Sequence, residues 1–305
     1  MNLLIEQPRN GLRLGFTLLM VSAGLTLIFG IMNIINLAHG SLFMVGAFVA
    51  ADVGGRTGNY LLALLAGIAG AAVAGLIVEL GLIRRLYHRD HLYQVLATFA
   101  LVLIANQAVQ MIWGLTPRSV SAPAFLDRTV PVLPGLPYPA YRLAITAVGI
   151  AVIVFLHLLV ERTRVGMWIR AGRTHRELLG AFGVNVRLLY TLVFAVGAGL
   201  AGLAGVVAAP FLSVESGIGD HFLILSFVVI VVGGIGSLKG ALYGSLMLGL
   251  ADTWARTYLP DLFGRFVDPS TAATAGASVA SASIYLVMVV VLVVKPNGLF
   301  GLADE

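Results

Sequence analysis

The sequence predicts an all-α, polytopic membrane protein with about eight or nine transmembrane helices, including a broken helix near residues 30–41. Three observations carry this. First, 59% of the 305 residues are hydrophobic and 11% are charged, whereas soluble domains average about 25% charged and roughly 45–50% apolar residues. A soluble surface needs charge that this chain lacks. Second, apolar stretches recur at lengths that cross the hydrocarbon, which takes about 20 residues at a rise of about 1.5 Å per residue; 143–160 and the end of 276–294 are examples. Third, runs such as LILSFVVIVVGG and LALLAGIAGAAVAGLIV are apolar all round. A membrane barrel would alternate apolar and polar residues over segments of about ten.

Taken in order, spans are expected at about 12–32, 38–53, 60–83, 92–113, 141–160, 189–209, 222–236, 240–258 and 276–294. They form one transmembrane domain over 1–305, with no soluble domain and no internal repeat. The opening MNLLIEQPRNGLRLG is not read as a signal peptide, because an acid and a proline precede the apolar run and no small-residue cleavage site follows. The formal net charge of +5 points to the positive-inside rule rather than to nucleic acid, since Arg and Lys sit between spans. The loop 161–187 holds six arginines against two acids. Placing it in the cytoplasm puts Arg84–Arg89, Lys239, Lys295 and the C-terminus on the same side. The N-terminus and the proline-rich loop 116–141 then lie outside, although Arg9 and Arg13 weigh against that end. With no cysteine in the chain, there is no disulfide framework and no thiolate metal site.

The segment Gly30–Ser41, GIMNIINLAHGS, interrupts 43 mostly apolar residues from Gly11 to Val53, about 64 Å if wholly helical. Asn33, Asn36, His39 and Ser41 thus fall at a tight turn on one face or at a helix break within the bilayer. Irregular backbone at membrane depth survives only where protein or water satisfies it, and transporters use such breaks to build solute sites. Two roles stay open at equal weight: lining a solute path, or capping helices and bonding neighbouring helices. His39 lacks partners at metal-ligand spacing, so no metal site is predicted.

In 60–83, Gly67, Ala71, Gly75 and Glu79 share one face at four-residue spacing. Small residues allow close helix approach, and Glu79 then points into protein, where it needs a partner such as Arg84 or Arg85. Ala195, Ala198, Gly199, Ala201, Gly202 and Gly205 make 189–209 a tightly packed helix. Asp252 and Arg256 stand at i,i+4 and predict a structural pair. The turn GGIGSLKG, Gly233–Gly240, has the wrong spacing for a phosphate loop and follows no strand, so no nucleotide site is assigned to this chain. No paired carboxylates and no Ser/His/Asp set on facing spans can be discerned, so an enzyme is not predicted.

The basic loop has room for one short helix between two turns. By composition it could lie on anionic lipid or dock on a soluble partner.

Several segments resemble one family. INLAHGSLFMVGAF is similar to the signature of permeases from branched-chain amino-acid ABC importers. RTRVGMWIRAG…ELLGAFGVNV is similar to their intracellular loop, within which Glu177, Leu178, Leu179 and Gly183 echo the Glu-Ala-Ala-x-x-x-Gly coupling motif. VVGGIGSLKGALYGSLMLGL and the terminal KPNGLFG follow in the family's order. The resemblance implies a permease in a bacterial inner membrane, paired with a second, related permease, most readily as a heterodimer. Two cytoplasmic ATPases would bind ATP and Mg, which this chain does not, and a periplasmic solute-binding protein would deliver solute. It implies that Arg164, Gly166, Arg170, Ala171, Glu177, Leu178, Leu179 and Gly183 belong to a coupling helix in an ATPase groove. Asn33, Asn36, His39 and Ser41 are the expected border of the solute path. Two departures stand out. Leucines replace both alanines of the coupling motif, giving a more apolar docking surface, and Ser41 stands where many members carry Glu. The second leaves urea, short amides and aromatic acids beside branched-chain amino acids as solutes. From another class, an ion-coupled secondary transporter is the rival, but Glu79 and Asp252 lie near span ends and no second half repeats NIINLAHG.

Overall fold

The computed structural model describes residues 2–87, 89–133, 136–174 and 176–301. Each expected apolar segment is helical. Helix α1 (Asn2–Met32) precedes the break, and α2 (His39–Thr57) follows it. Helix α3 (Tyr60–Val78) runs through a π-helical turn, Glu79–Ile83, into α4 (Arg84–Leu86), and α5 (His91–Trp113) returns. Two short antiparallel strands, β1 (Thr129–Leu133) and β2 (Leu136–Pro139), form a hairpin within the proline-rich loop, a detail that composition did not announce. Then come α6 (Ala140–Arg162), α7 (Arg164–Thr174), α8 (Arg176–Ala181), α9 (Val186–Ala208), α10 (Ile218–Gly233), α11 (Leu238–Phe263) and α12 (Pro269–Val294).

Local chemistry sets these boundaries. Gly58, at φ +63°, ends α2 in the left-handed conformation. Asn59 Oδ1 then accepts from the Leu61 and Leu62 amides and starts α3, so two adjacent residues turn the chain. Asp90, Asn185, Ser237 and Asp268 cap α5, α9, α11 and α12 in the same way.

Among the described residues, six helices, or seven spans if the α10–α11 pair bent by 116° is counted as one, are long and apolar enough to cross a membrane. By length and composition the expected eight or nine are not reached: α2 is not among the six, and α10 and α11 pass only as a pair. Spans α1 and α9 are 83% and 78% buried over their most apolar windows, against 11–22% for those of α3, α5, α6 and α12. The first two therefore form the centre and the other four the rim.

Glycine lets the centre close. A Cβ on Gly24 would lie 2.5 Å from Gly197 O, and one on Gly46 2.5 Å from Gly202 Cα. Neither space exists, so α1, α2 and α9 touch backbone to backbone, the arrangement small residues permit in membranes. Replacing Gly24 by Leu should remove most folded protein, as overpacking against backbone cannot be relieved by a rotamer change. Monodispersity and melting temperature in detergent check this.

The face of α3 predicted by spacing is buried at Ala63, Gly67, Ala71 and Gly75, and Glu79 continues it into the π-helical turn. Glu79, fully buried, meets Arg84 at 3.4 Å, accepts from Thr191 Oγ1 at 2.9 Å and takes a short hydrogen bond from Tyr87 Oη. Asp252 pairs with Arg256 at 2.8 Å.

The two ends of the bundle are distinct. At one end Arg142 donates to Asn10 Oδ1, the Arg9 and Arg13 guanidiniums lie over the Tyr138 and Phe211 rings, and Tyr60 meets Tyr141. At the other end gather Arg84, the α7–α8 segment, the Gly233–Gly240 turn and the C-terminal stretch. The Leu299 and Phe300 amides donate there to Val232 O and Gly233 O. GGIGSLKG is thus a packing turn: Gly234 and Gly236 have positive φ, and a Cβ on Gly240 would strike Gly233 O at 2.0 Å.

Candidate solute path and coupling surface

The break after α1 is tight. Asn33 takes φ +49°, and its amide still donates to Phe29 O. Asn36 Oδ1 accepts from the Ala38 amide at 3.0 Å, a local turn that Asn side chains favour. The chain then doubles back, and His39 Nε2 lies 3.0 Å from Val21 O. Val21 is eleven residues before the end of α1, or about 16 Å along its axis. Helix α2 therefore begins near mid-depth of the bundle rather than at a membrane face.

Of the four residues expected here, Asn36, His39 and Ser41 are buried and cluster at the start of α2, while Asn33 is exposed at the end of α1. The fold thus separates Asn33 from the others by the turn itself. A carbonyl partner requires the proton on His39 Nε2, leaving Nδ1 an acceptor. His39 Nδ1, Asn36 Nδ2 and Ser41 Oγ have no hydrogen-bond partner among the described residues. Buried polar groups are ordinarily satisfied, so these three can each offer a bond to water or solute. Asn36 performs the capping role with one amide atom and leaves the other free.

Helix α10 begins beside this point. Gly217 (φ +87°) turns the chain into it. A Cβ on Gly40 would lie 2.2 Å from Gly219 O, and the Phe43 and Phe222 rings stack at 4.3 Å. Two helices that start inside the bundle are thereby packed against each other.

A polar stripe on α5 was missed by the sequence reading. Gln94, Thr98, Asn106 and Gln110 follow a four-residue spacing with Val102 between them, which places them on one helix face. That spacing was the available signal. Thr98 is fully buried and reaches Ile35 O in the break. Asn106 Nδ2 donates to Asp220 Oδ2 at 3.2 Å, and Gln110 Nε2 to Ser216 Oγ at 3.0 Å.

The coupling segment forms two short helices rather than one. Gly166 presses on the end of α6: a Cβ there would lie 2.2 Å from Val160 O, and the Gly166 amide donates to Thr163 Oγ1. Arg170 donates to Val160 O and pairs with Glu161 at 3.4 Å, so it holds α7 to α6 within the chain. Arg164 and Ala171 are exposed. Gly183, at φ +80°, ends α8, and the Val184 amide reaches back to Leu179 O. The paired leucines do not share one surface. Leu178 is 55% exposed, whereas Leu179 is 6% exposed in the main core, because adjacent helical residues diverge by about 100°. The apolar side chains that this segment exposes are instead Leu178, Met167 and Phe182, the last 84% exposed. Among the coupling residues, the side chain of Glu177 lies outside the described residues.

Between α7, the C-terminal ends of α1 and α6, and the α10–α11 turn lies a cavity of about 190 Å³ lined by Thr26, Gly30, Glu161, Arg170, Ser237 and Lys239. It places the coupling segment directly beneath the helix that leads into the break. Among the described residues no group of three or more His, Cys, Asp or Glu could hold a metal ion.

A polytopic helical bundle with an interrupted helix at mid-depth is an arrangement that membrane transporters use to build solute sites. Residues 7–294 match the family model described as "Branched-chain amino acid transport system / permease component", and the chain belongs to that family. It is 28% identical over 314 residues to the high-affinity branched-chain amino acid transport system permease protein LivH of Escherichia coli (strain K12), covering 97% of this chain and 95% of that protein. It is 26% identical over 309 residues to the corresponding permease protein BraD of Pseudomonas aeruginosa, at the same coverages. It is also 28% identical over 295 residues to a probable branched-chain amino acid transport permease protein LivH of Methanocaldococcus jannaschii, covering 93% of this chain and 88% of that protein. No solved structure matches.

Proposed function

We propose that this chain is a pore-forming subunit of an ATP-driven importer for branched-chain amino acids in a bacterial inner membrane. The observation that carries the reading is the family match over nearly the whole chain, with relatives whose names specify that solute. In this reading a second, related permease completes the pore, two cytoplasmic ATPases bind ATP and Mg, and a periplasmic binding protein supplies solute. Loop 161–187 and the C-terminus face the cytoplasm, and the N-terminus faces outward. The six arginines against two acids in loop 161–187 support that orientation.

Coupling runs through contacts of this chain. An ATPase groove receives Leu178, Phe182 and Met167. Movement of α8 passes to α7, which Gly166 and Arg170 clamp to α6, and α7 also touches α1 and α9. Helix α1 ends at the break, so displacement at the docking face shifts Asn36, His39 and Ser41 relative to α5 and α10. These three residues border the solute path, and their free hydrogen-bonding atoms favour that role over capping alone.

Uptake by proteoliposomes containing the co-purified complex tests the reading, with labelled leucine, urea and an aromatic acid compared with and without ATP. ATP-dependent accumulation of leucine is expected. Ion-gradient-driven movement by the purified chain alone would replace the importer with a secondary transporter. In the same assay, Asn36→Ala and His39→Ala should each slow uptake at least several-fold without loss of complex assembly. Unchanged kinetics would leave these residues as caps.

A further inference from the structure

The polar cluster that joins α5 to the start of α10 places a carboxylate inside the helical bundle. Asn106 lies seven residues before the end of α5, about 10 Å along its axis, and Asp220 contacts it from the first turn of α10. Among the described residues no cation pairs with Asp220; its hydrogen-bond partner is a neutral amide. Asn106 Oδ1 is buried with no partner among the described residues, while Ser216 Oγ is occupied by Gln110 and donates to Asn106 O. Ionisable groups at membrane depth face protein or water-filled cavities rather than lipid. This face, with exposed Gln107 and His221 beside it, is therefore wet or covered by a second subunit.

The cluster is made of acceptors. Asp220 offers a carboxylate and Asn106 an unused amide oxygen, a pair suited to the three N–H donors of an ammonium group. Inward along the same face of α10, at four and seven residues from Asp220, stand Ile224, 50% exposed, and Phe227, half-buried. Phe227 packs with Leu37 of the break around Leu25, Leu223 and Ile230. A charged acceptor site thus lies about one to two helical turns outward of an apolar one.

We infer that the α5–α10 face is a solute-recognition site, in which Asp220 and Asn106 receive the ammonium group of an amino acid and Ile224 and Phe227 contact its aliphatic side chain. This rests on the proposed importer function and assigns its solute class to particular residues. A carboxylate specifies an ammonium strongly because desolvating the solute's charge without a partner is costly.

The test uses the complex assembled with its own partners in proteoliposomes, at saturating leucine-loaded binding protein. Asp220→Asn should lower leucine uptake at least tenfold while ATPase stimulation by the binding protein persists, and Asp220→Glu should retain most uptake. Because the chain has no cysteine, Ser216→Cys adds a second readout, provided any thiols in the partners are blocked or removed. A membrane-impermeant thiol reagent should label the introduced thiol, and leucine transport conditions should slow the labelling. Leucine uptake by Asp220→Asn within twofold of wild type, or a Ser216→Cys protein inert to the reagent, would overturn the inference while leaving the importer intact. Failure of the wild-type complex to accumulate leucine would remove the proposed solute and this inference together. If Asp220→Asn does not assemble, the labelling result decides.

Discussion

Placing charges on the exposed side of α8 and the turn after it, as in Leu178→Asp combined with Phe182→Asp, is expected to reduce ATP-driven uptake at least tenfold without changing the yield of folded permease. Both side chains project from the bundle, at 55% and 84% exposure, so their loss removes little internal packing. An ATPase groove that buries them would instead have to accept two unpaired carboxylates, which are costly to desolvate. Co-purification of the ATPase subunits should fall in parallel with uptake. Leu179→Asp provides the contrast: it buries a charge in the core and should lower folded yield itself. If the double variant binds ATPase and transports normally, α8 is not the docking surface.

The second large effect is expected at Glu79. Arg84→Ala removes the cation facing a carboxylate with no solvent exposure, and breaking a buried pair from one side costs about 3–5 kcal/mol. Arg84 is itself 36% exposed, and Thr191 and Tyr87 still bond the carboxylate. Solvent screening and these partners reduce the expected loss to about 2–3 kcal/mol. Glu79→Gln should cost less than Arg84→Ala, because it removes the buried charge as well as the pair. Melting temperatures of the three proteins in one detergent give the order wild type, Glu79→Gln, Arg84→Ala. A reversed order for the two variants would show that the ion pair contributes more than the isolated buried charge costs.

The break was legible because two asparagines and a histidine inside an apolar run have few structural explanations. The pairs Glu79–Arg84 and Asp252–Arg256 were legible because helical spacing brings their members together whatever the surrounding fold. The α5 stripe was passed over because Gln94, Thr98, Asn106 and Gln110 are individually ordinary in a span. Their significance comes from Ile35, Ser216 and Asp220, which are distant in sequence. The segment that resembles a coupling motif was legible by its residues, but which of its adjacent leucines faces the core was not, because neighbouring helical positions point in different directions.

By itself the sequence determined the membrane environment, the helical class, the order of the apolar segments and the family to which the chain belongs. The first three follow from composition, from the length needed to cross hydrocarbon and from local spacing, and the family from the resemblance of whole segments such as INLAHGSLFMVGAF, all of which are properties of the chain read in one dimension. Tertiary structure alone decided that α2 starts at mid-depth against Val21, that α10 begins beside it at the Gly40–Gly219 contact, and that Asp220 meets Asn106. Those facts depend on which residue faces which across the bundle. The Gly40–Gly219 and Asn106–Asp220 contacts join residues more than a hundred positions apart, and no local pattern encodes that pairing.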